Sequence, residues 1–241
     1  MKKILAAVLA LTLALSLCAF ALAEEAVSYA DYAAADLDTE VTITAYVQAH
    51  QSWWEDKVTI YAADADGAYF LYETPCSEED AEKLVPGTNF VSTGYKSEWS
   101  GEVELADISS FEIIDDGDTY IAEPVDVTDL LGTDELAEKM NQLVSFKGMT
   151  VESSTIEGDE TEYAFLYNWD GSGEEGNDLY FNVSLDGNVY NFTVESYLCG
   201  PGTDVYEAVK ALNVGDVIDL DGFLYWYNGA NPHITAVTAA E

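Results

Sequence analysis

The second half of this 241-residue chain repeats the first, residue class by residue class. From Cys76 the chain runs through a short helical stretch to Leu84, Gly87, Gly94-Tyr95, Trp99 and Gly101. From Cys199 it runs through another to Leu212, Gly215, Gly222-Phe223, Tyr227 and Gly229, and from the leucine onward the spacings agree to the residue. A chain built this way folds as two copies of one small domain. The remaining length supports this, since it gives each copy about 100 residues.

Ahead of the repeat stand Lys2-Lys3, an apolar run from Ile4 to Leu17, and Ala21-Leu22-Ala23 before Glu24-Glu25. That three-part layout is a secretory signal peptide over residues 1–23. The run is too short for a membrane span of roughly 20 apolar residues. Bulky Leu17 before Cys18 departs from the small residue expected at a lipoprotein cleavage site. The expectation is an exported protein, extracellular or in the cell envelope, soluble once the signal is removed.

Strand signals dominate the chain beyond the signal. Val41, Ile43, Ala45 and Val47 alternate with Thr42, Thr44 and Tyr46, which places one face on a core. Val58–Tyr61 and Tyr69–Tyr72 read as short strands joined by Asp64-Ala65-Asp66-Gly67, a hairpin signal in which Gly is expected to supply a positive φ. Ser77 caps a short helix through Leu84 with acids in its first turn, and Pro86-Gly87 ends it. Phe90–Lys96 and Val103–Phe111 supply two more strands. With nearly half its residues hydrophobic and 16 tyrosines, the chain has the composition of a packed β domain and not of an acidic disordered tail.

Five strands with one helix between the third and fourth, together with Leu-x2-Gly-x6-Gly-aromatic in both copies, resemble the OB-fold, in the form found in exported bacterial proteins, over essentially the whole length after the signal. The resemblance implies two five-stranded Greek-key barrels. It also implies a ligand platform on strands two and three, flanked by the loops joining strands one and two and strands four and five.

Domain boundaries can be drawn on this basis: residues 24–114 form the first OB-like domain, and 115–140 a linker or lead-in with a helix from Asp134 to Met140 capped by Thr133. Residues 141–241 form the second, where Val144, Phe146 and Gly148 match Val41, Ile43 and Ala45. The second copy carries about twenty extra residues, placed around 163–178 as an added hairpin or long loop. Its helix reads Thr203–Leu212 and its last strands Val217–Tyr227 and His233–Thr238.

On this frame the tryptophans fall in loops or at strand ends. Trp53 and Trp54 sit in the first flanking loop, Trp99 in the second with Tyr95 near it, Trp226 and Tyr227 at the position matching Trp99, and Trp169 in the extra loop. Flat, amphipathic rings of this kind stack on sugars, bases or apolar side chains, or else close a barrel end. Trp53, Trp54, Tyr95, Trp99, Trp226 and Tyr227 are the candidate binding residues.

Charge narrows the partner. The chain holds 46 acidic residues against eight basic ones, for a net −38, and contains no arginine. Two of its lysines lie in the signal peptide. Nucleic acids are bound chiefly by neutralising phosphates with Lys and Arg, so a polyanion is disfavoured. Proteins, peptides and neutral glycans are the permitted partners.

Little points to catalysis. His50 and His233 lie in different copies at positions the repeat does not match, there is no Gly-rich phosphate loop or nucleophile elbow, and no pair among the many carboxylates stands out. Cys76 and Cys199 are equivalent in the repeat: they could pair across the copies in an oxidising compartment, or each could fill the same small apolar site, which equivalence favours. No cofactor is expected beyond weak Ca2+ at acidic loops (Asp64, Asp66, 115–118, 170–178), none of which matches an EF-hand loop. The reading is an exported, non-catalytic binding protein. Its alternative is an OB-fold binder of oligosaccharide or single-stranded nucleic acid.

Overall fold

The computed structural model describes residues 25–240; the segment read as an export signal lies outside them. The described chain divides into two compact units. The first comprises the residues up to Trp99 with Val103–Ala122, the second Ser100–Glu102 with the chain from Glu123 onward. Among the described residues no helix is long and apolar enough to cross a membrane.

The first unit opens with helix α1 (Tyr29–Ala34), whose Ser28 cap accepts the Asp31 N–H. Five strands follow: β1 (Glu40–His50), β2 (Lys57–Ala63), β3 (Ala68–Pro75), β4 (Asn89–Trp99) and β5 (Glu102–Ile113), closed into a barrel in the order β1-β2-β3-β5-β4. Val41, Ile43, Ala45 and Val47 alternate inward as expected, and join Val58, Ile60, Tyr69, Leu71, Phe90 and Leu105 in one core. Helix α2 (Glu78–Ala81) sits between β3 and β4, capped by Ser77. Lys96 is buried and donates from Nζ to the carbonyls of Ala33 and Ala35 at 2.8 Å each, so α1 is held at its C-terminal end, where a cation is favoured.

In the second unit β7 (Leu143–Glu152), β9 (Leu179–Leu185), β10 (Asn188–Val194), β11 (Val217–Phe223) and β12 (His233–Ala239) form the equivalent ring, closed by pairing of β7 with β9. Two-residue strands flank it, β6 (Val125–Asp126) beside β7 and β8 (Leu166–Tyr167) beside β9. Helix α3 (Asp204–Lys210) lies between β10 and β11 and buries Val205, Tyr206 and Val209 on the core. Both units are therefore OB-like, each with its helix between the third and fourth strands of the ring.

The repeated residues have a physical reason. Gly87 and Gly215, with φ of 89° and 92°, make the same left-handed turn into the fourth strand. Gly94 and Gly222 lie where the fourth strand crowds the fifth: a Cβ would meet the Ala106 carbonyl oxygen at 2.8 Å in one unit and the His233 carbonyl oxygen at 2.4 Å in the other.

Several sequence expectations are corrected. Gly67 does not have a positive φ; Asp64 Oδ1 builds that turn by accepting the N–H groups of Asp66 and Gly67, and the glycine leaves room for the Tyr29 ring. Gly148 is not an inward-facing match for Ala45 but lies in a bulge at φ 63°, after which the buried alternation resumes at Met149 and Val151. Asp134–Lys139 is a 3-10 helix, and Thr133 does not cap it with its hydroxyl, which donates to the Leu130 carbonyl instead. Strand β11 ends at Phe223, which leaves Trp226 and Tyr227 in a loop.

Candidate ligand face of the second barrel

The six aromatic candidates divide between packing and exposure. Trp53 is half-buried on the first core and donates from Nε1 to the Cys76 carbonyl at 2.8 Å, so it fastens its loop to the barrel. Trp226 is likewise half-buried, against the second core. Trp54 (68% exposed), Trp99 (53%), Tyr95 (40%) and Tyr227 (49%) face solvent, as does Trp169. In the first unit they do not converge: Tyr95 pairs with Glu40 at the start of β1 and Trp99 lies beyond it, whereas Trp53 and Trp54 follow the end of β1.

In the first unit the outward side chains Thr59, Tyr61 and Ala63 of β2 and Phe70 of β3 are themselves buried, whereas Tyr72 of β3 is exposed, so little of this platform is open to solvent. The matching face in the second unit is different. Its strands β9 and β10 are joined by Asp186-Gly187, both at positive φ (51° and 82°), a tight hairpin turn. Leu179, Phe181, Val183, Phe192 and Val194 point into the core. The opposite row, Tyr180, Asn182 and Ser184 on β9 and Val189, Asn191 and Thr193 on β10, carries no charge.

These side chains form a connected polar strip. Asn191 Nδ2 donates to Asn182 Oδ1 across the strands at 2.9 Å, and Asn182 Nδ2 to the Ser153 carbonyl and Ser154 Oγ at 3.2 Å each. Ser184 donates to Glu152 on β7, and Asp178 and Glu195 stand just beyond Tyr180 and Thr193, so acids border the uncharged row at both places. Thr193 donates to Asn231 in the β11–β12 loop at 2.7 Å and also hydrogen-bonds Tyr180. Of the sequence candidates, Trp226 and Tyr227 lie in the same loop as Asn231, the residue that bonds this face. Burial first, then Asp178 and Glu195, push the Tyr180 phenol above its ordinary range, so it stays a neutral donor.

The extra residues of this unit lie beside β9. Ser154 and Tyr163 form an isolated bridge, and the 168–177 loop is tied to α3 by the Tyr206 hydroxyl, which donates to the Asn177 carbonyl and accepts the Gly176 N–H, and by Lys210 paired with Glu175. The exposed Trp169 therefore sits on an anchored loop.

Elsewhere the chemistry is quiet. Cys76 and Cys199 are both free, and burial pushes each thiol up to about 11, far from a reactive thiolate. His233 is buried and its pKa falls to about 3. Among the described residues no three His, Cys, Asp or Glu side chains converge in a way that could hold a metal. Asp64, one of the calcium candidates, is engaged through both oxygens, Oδ2 accepting from the Tyr69 hydroxyl.

No known protein-family model matches the chain, and no curated protein matches it. Similar solved structures include the p204 HINb domain (12% identity, 85% of this chain and 100% of that one, TM-score 0.38) and the p202 HIN2 domain, a tetramer (14%, 86% and 96%, 0.36). The Ifi202 HINa domain, solved in complex with 20-base-pair double-stranded DNA, is another (10%, 85% and 97%, 0.33). Likeness at this level carries no argument about what this chain binds. The class that the fold itself defines is a protein of two OB-like barrels.

Proposed function

We propose that the protein is an exported, non-catalytic binding module whose second barrel holds a neutral, hydroxyl-rich ligand, an oligosaccharide, on the β9–β10 face. One observation carries this reading. In a chain of net charge −38, the outward row of β9 and β10 is uncharged and built on an Asn182–Asn191 pair, with Tyr180 at its end. Carboxamides supply donor and acceptor together, which suits sugar hydroxyls, and a tyrosine ring offers a stacking surface. A phosphate backbone would meet repulsion with no arginine to neutralise it. Trp54, Tyr95 and Trp99 of the first barrel are proposed as further, separate contact residues. Export rests on Lys2-Lys3, the apolar run to Leu17 and Ala21–Ala23.

The test is calorimetric titration at physiological salt with neutral hexasaccharides (cellohexaose, maltohexaose) and with single-stranded DNA. Saturable binding of a neutral sugar, weakened in Asn191→Ala, supports the reading. Binding of DNA alone would overturn it. Export is tested separately, by sequencing the N-terminus of protein recovered outside the cell, which is expected to begin at Glu24.

A further inference from the structure

Two carboxylates grip one turn at the end of the β9–β10 face. Asp178, immediately before β9, accepts both the N–H of Ser196 at 2.8 Å and its Oγ–H at 2.6 Å. Glu195, immediately after β10, accepts the Leu198 N–H through Oε2 at 2.7 Å, while its main-chain carbonyl receives the Cys199 N–H at 2.8 Å. The 196–199 turn is thus held from two strands by two groups of like charge, and the next residues inward are Tyr180 and Thr193.

Opposing influences meet on Glu195: burial and Asp178 disfavour its ionised form and prevail, while the Tyr197 and Leu198 N–H groups favour it. Burial, and then the Asp178 carboxylate, push Glu195 up to about 7. The other groups facing it bring no positive charge. Cys199 in the turn is neutral with its thiol at about 11, Tyr180 on β9 is raised, Tyr227 of the β11–β12 loop acts on Tyr180, and His233 of β12, paired with Thr193, is held neutral by burial.

We propose that this clasp gates the β9–β10 face: with Glu195 protonated the turn is closed and the face is formed, and with both carboxylates ionised the turn opens and releases the adjoining strand ends. A protonated Glu195 no longer repels Asp178 yet keeps an oxygen to accept the Leu198 N–H. Two ionised carboxylates in a half-dehydrated corner repel each other, and parting relieves that repulsion at the expense of the N–H groups they hold. The ligand arm of this proposal rests on the reading of the face as a binding surface; the gate itself does not.

The experiment measures amide exchange at Ser196 and Leu198, divided by the intrinsic rates, at about pH 5.5 and about pH 8.5 in the full protein and in Glu195→Gln, which keeps the shape without the charge. In the unaltered protein protection is expected to fall about tenfold or more at the higher pH, with a midpoint matching the Glu195 carboxyl titration followed by 13C NMR. Glu195→Gln should hold its protection at both. Flat protection in the unaltered protein, or an equal fall in Glu195→Gln, overturns the gate. Cellohexaose and maltohexaose titrated at the same two pH values separate the readings. Tighter binding at low pH, lost as a pH effect in Glu195→Gln, supports gating of the face. Equal binding at both pH values overturns gating even if exchange changes, and no binding at either pH alongside a working exchange gate sinks the sugar reading and leaves the gate standing.

Discussion

The indole of Trp53 donates to the main-chain carbonyl of Cys76 across 2.8 Å, and the Cys76 N–H returns to the chain at the Asp56 carbonyl, 2.9 Å away. The β1–β2 loop is thereby stitched to the end of β3 at two points. Trp54, one residue on, shares none of this and is exposed.

Replacing Trp53 by alanine removes a half-buried ring and leaves the Cys76 carbonyl without its indole donor; a loss of about 2–4 kcal/mol is expected. Trp54→Ala should change stability by less than about 0.5 kcal/mol. Urea unfolding of the two variants checks this. Equal effects would remove the distinction between a packing and a presented tryptophan.

On the β9–β10 face, Asn191→Ala should cost a neutral oligosaccharide roughly five- to tenfold in affinity, the worth of about one or two hydrogen bonds, with the melting temperature nearly unchanged because Asn191 is exposed. Asn182→Ala should cost affinity and some stability, since Asn182 also bonds Ser153 and Ser154. A parallel loss of affinity and stability in Asn191→Ala would assign that residue to the fold alone.

Stability should peak near pH 5. Glu104, by burial, and Glu195, by burial and Asp178, both titrate near 7 in the folded protein, above the 4.5 of a free carboxyl. The folded state therefore binds more protons than the unfolded one between those limits, and stability rises as pH falls from about 7 to about 4.5, by about 1–3 kcal/mol for each group. His233 works the other way. Its folded value of about 3 lies below the ordinary 6.5, so its contribution is present above 6.5 and drains away as pH falls. Down to about 4.5 two glutamates outweigh one histidine; below that, His233 and the lowered carboxylates of Asp80, Asp126, Asp159 and Asp170 all act against folding. Thermal melts from pH 3.5 to 8.5 test this, and a flat or alkaline optimum would contradict it.

Gly67→Ala places a methyl carbon 2.4 Å from the Tyr29 ring, which packs edge-on against Tyr69 at 5.4 Å. The ring must move, at about 1–3 kcal/mol. In a Tyr29→Ala background the same substitution should be nearly neutral, a strong coupling in a double-mutant cycle. Additive effects would show that the turn itself, and not the ring, requires glycine.

The landmarks legible in the sequence are those set by local backbone geometry. Gly87 and Gly215 mark identical turns, Gly94 and Gly222 identical strand crossings, and Ser77 caps its helix as read, whereas Thr203, read as the first residue of its helix, is that helix's cap. The strands β9 and β10, which form the candidate face, are absent from the sequence reading. Their signal is present: Leu179, Phe181 and Val183 alternate, and Asp186-Gly187 stands at the turn, but the acidic loop just ahead of them masks it by reading as an insertion. The role of Trp53 is not legible at all, because its acceptor lies 23 residues away and is brought to it only by the pairing of β2 with β3.

Lys96, turned inward onto α1, has a counterpart at the surface. Lys57, Lys83, Lys147 and Lys210 are each paired with a carboxylate, so five of the six lysines among the described residues are already committed. To an approaching molecule the protein behaves as a polyanion wrapped in its own cloud of small cations. Its diffusion, its spacing from neighbours and its encounters with anything charged will follow ionic strength more closely than any single contact on its surface.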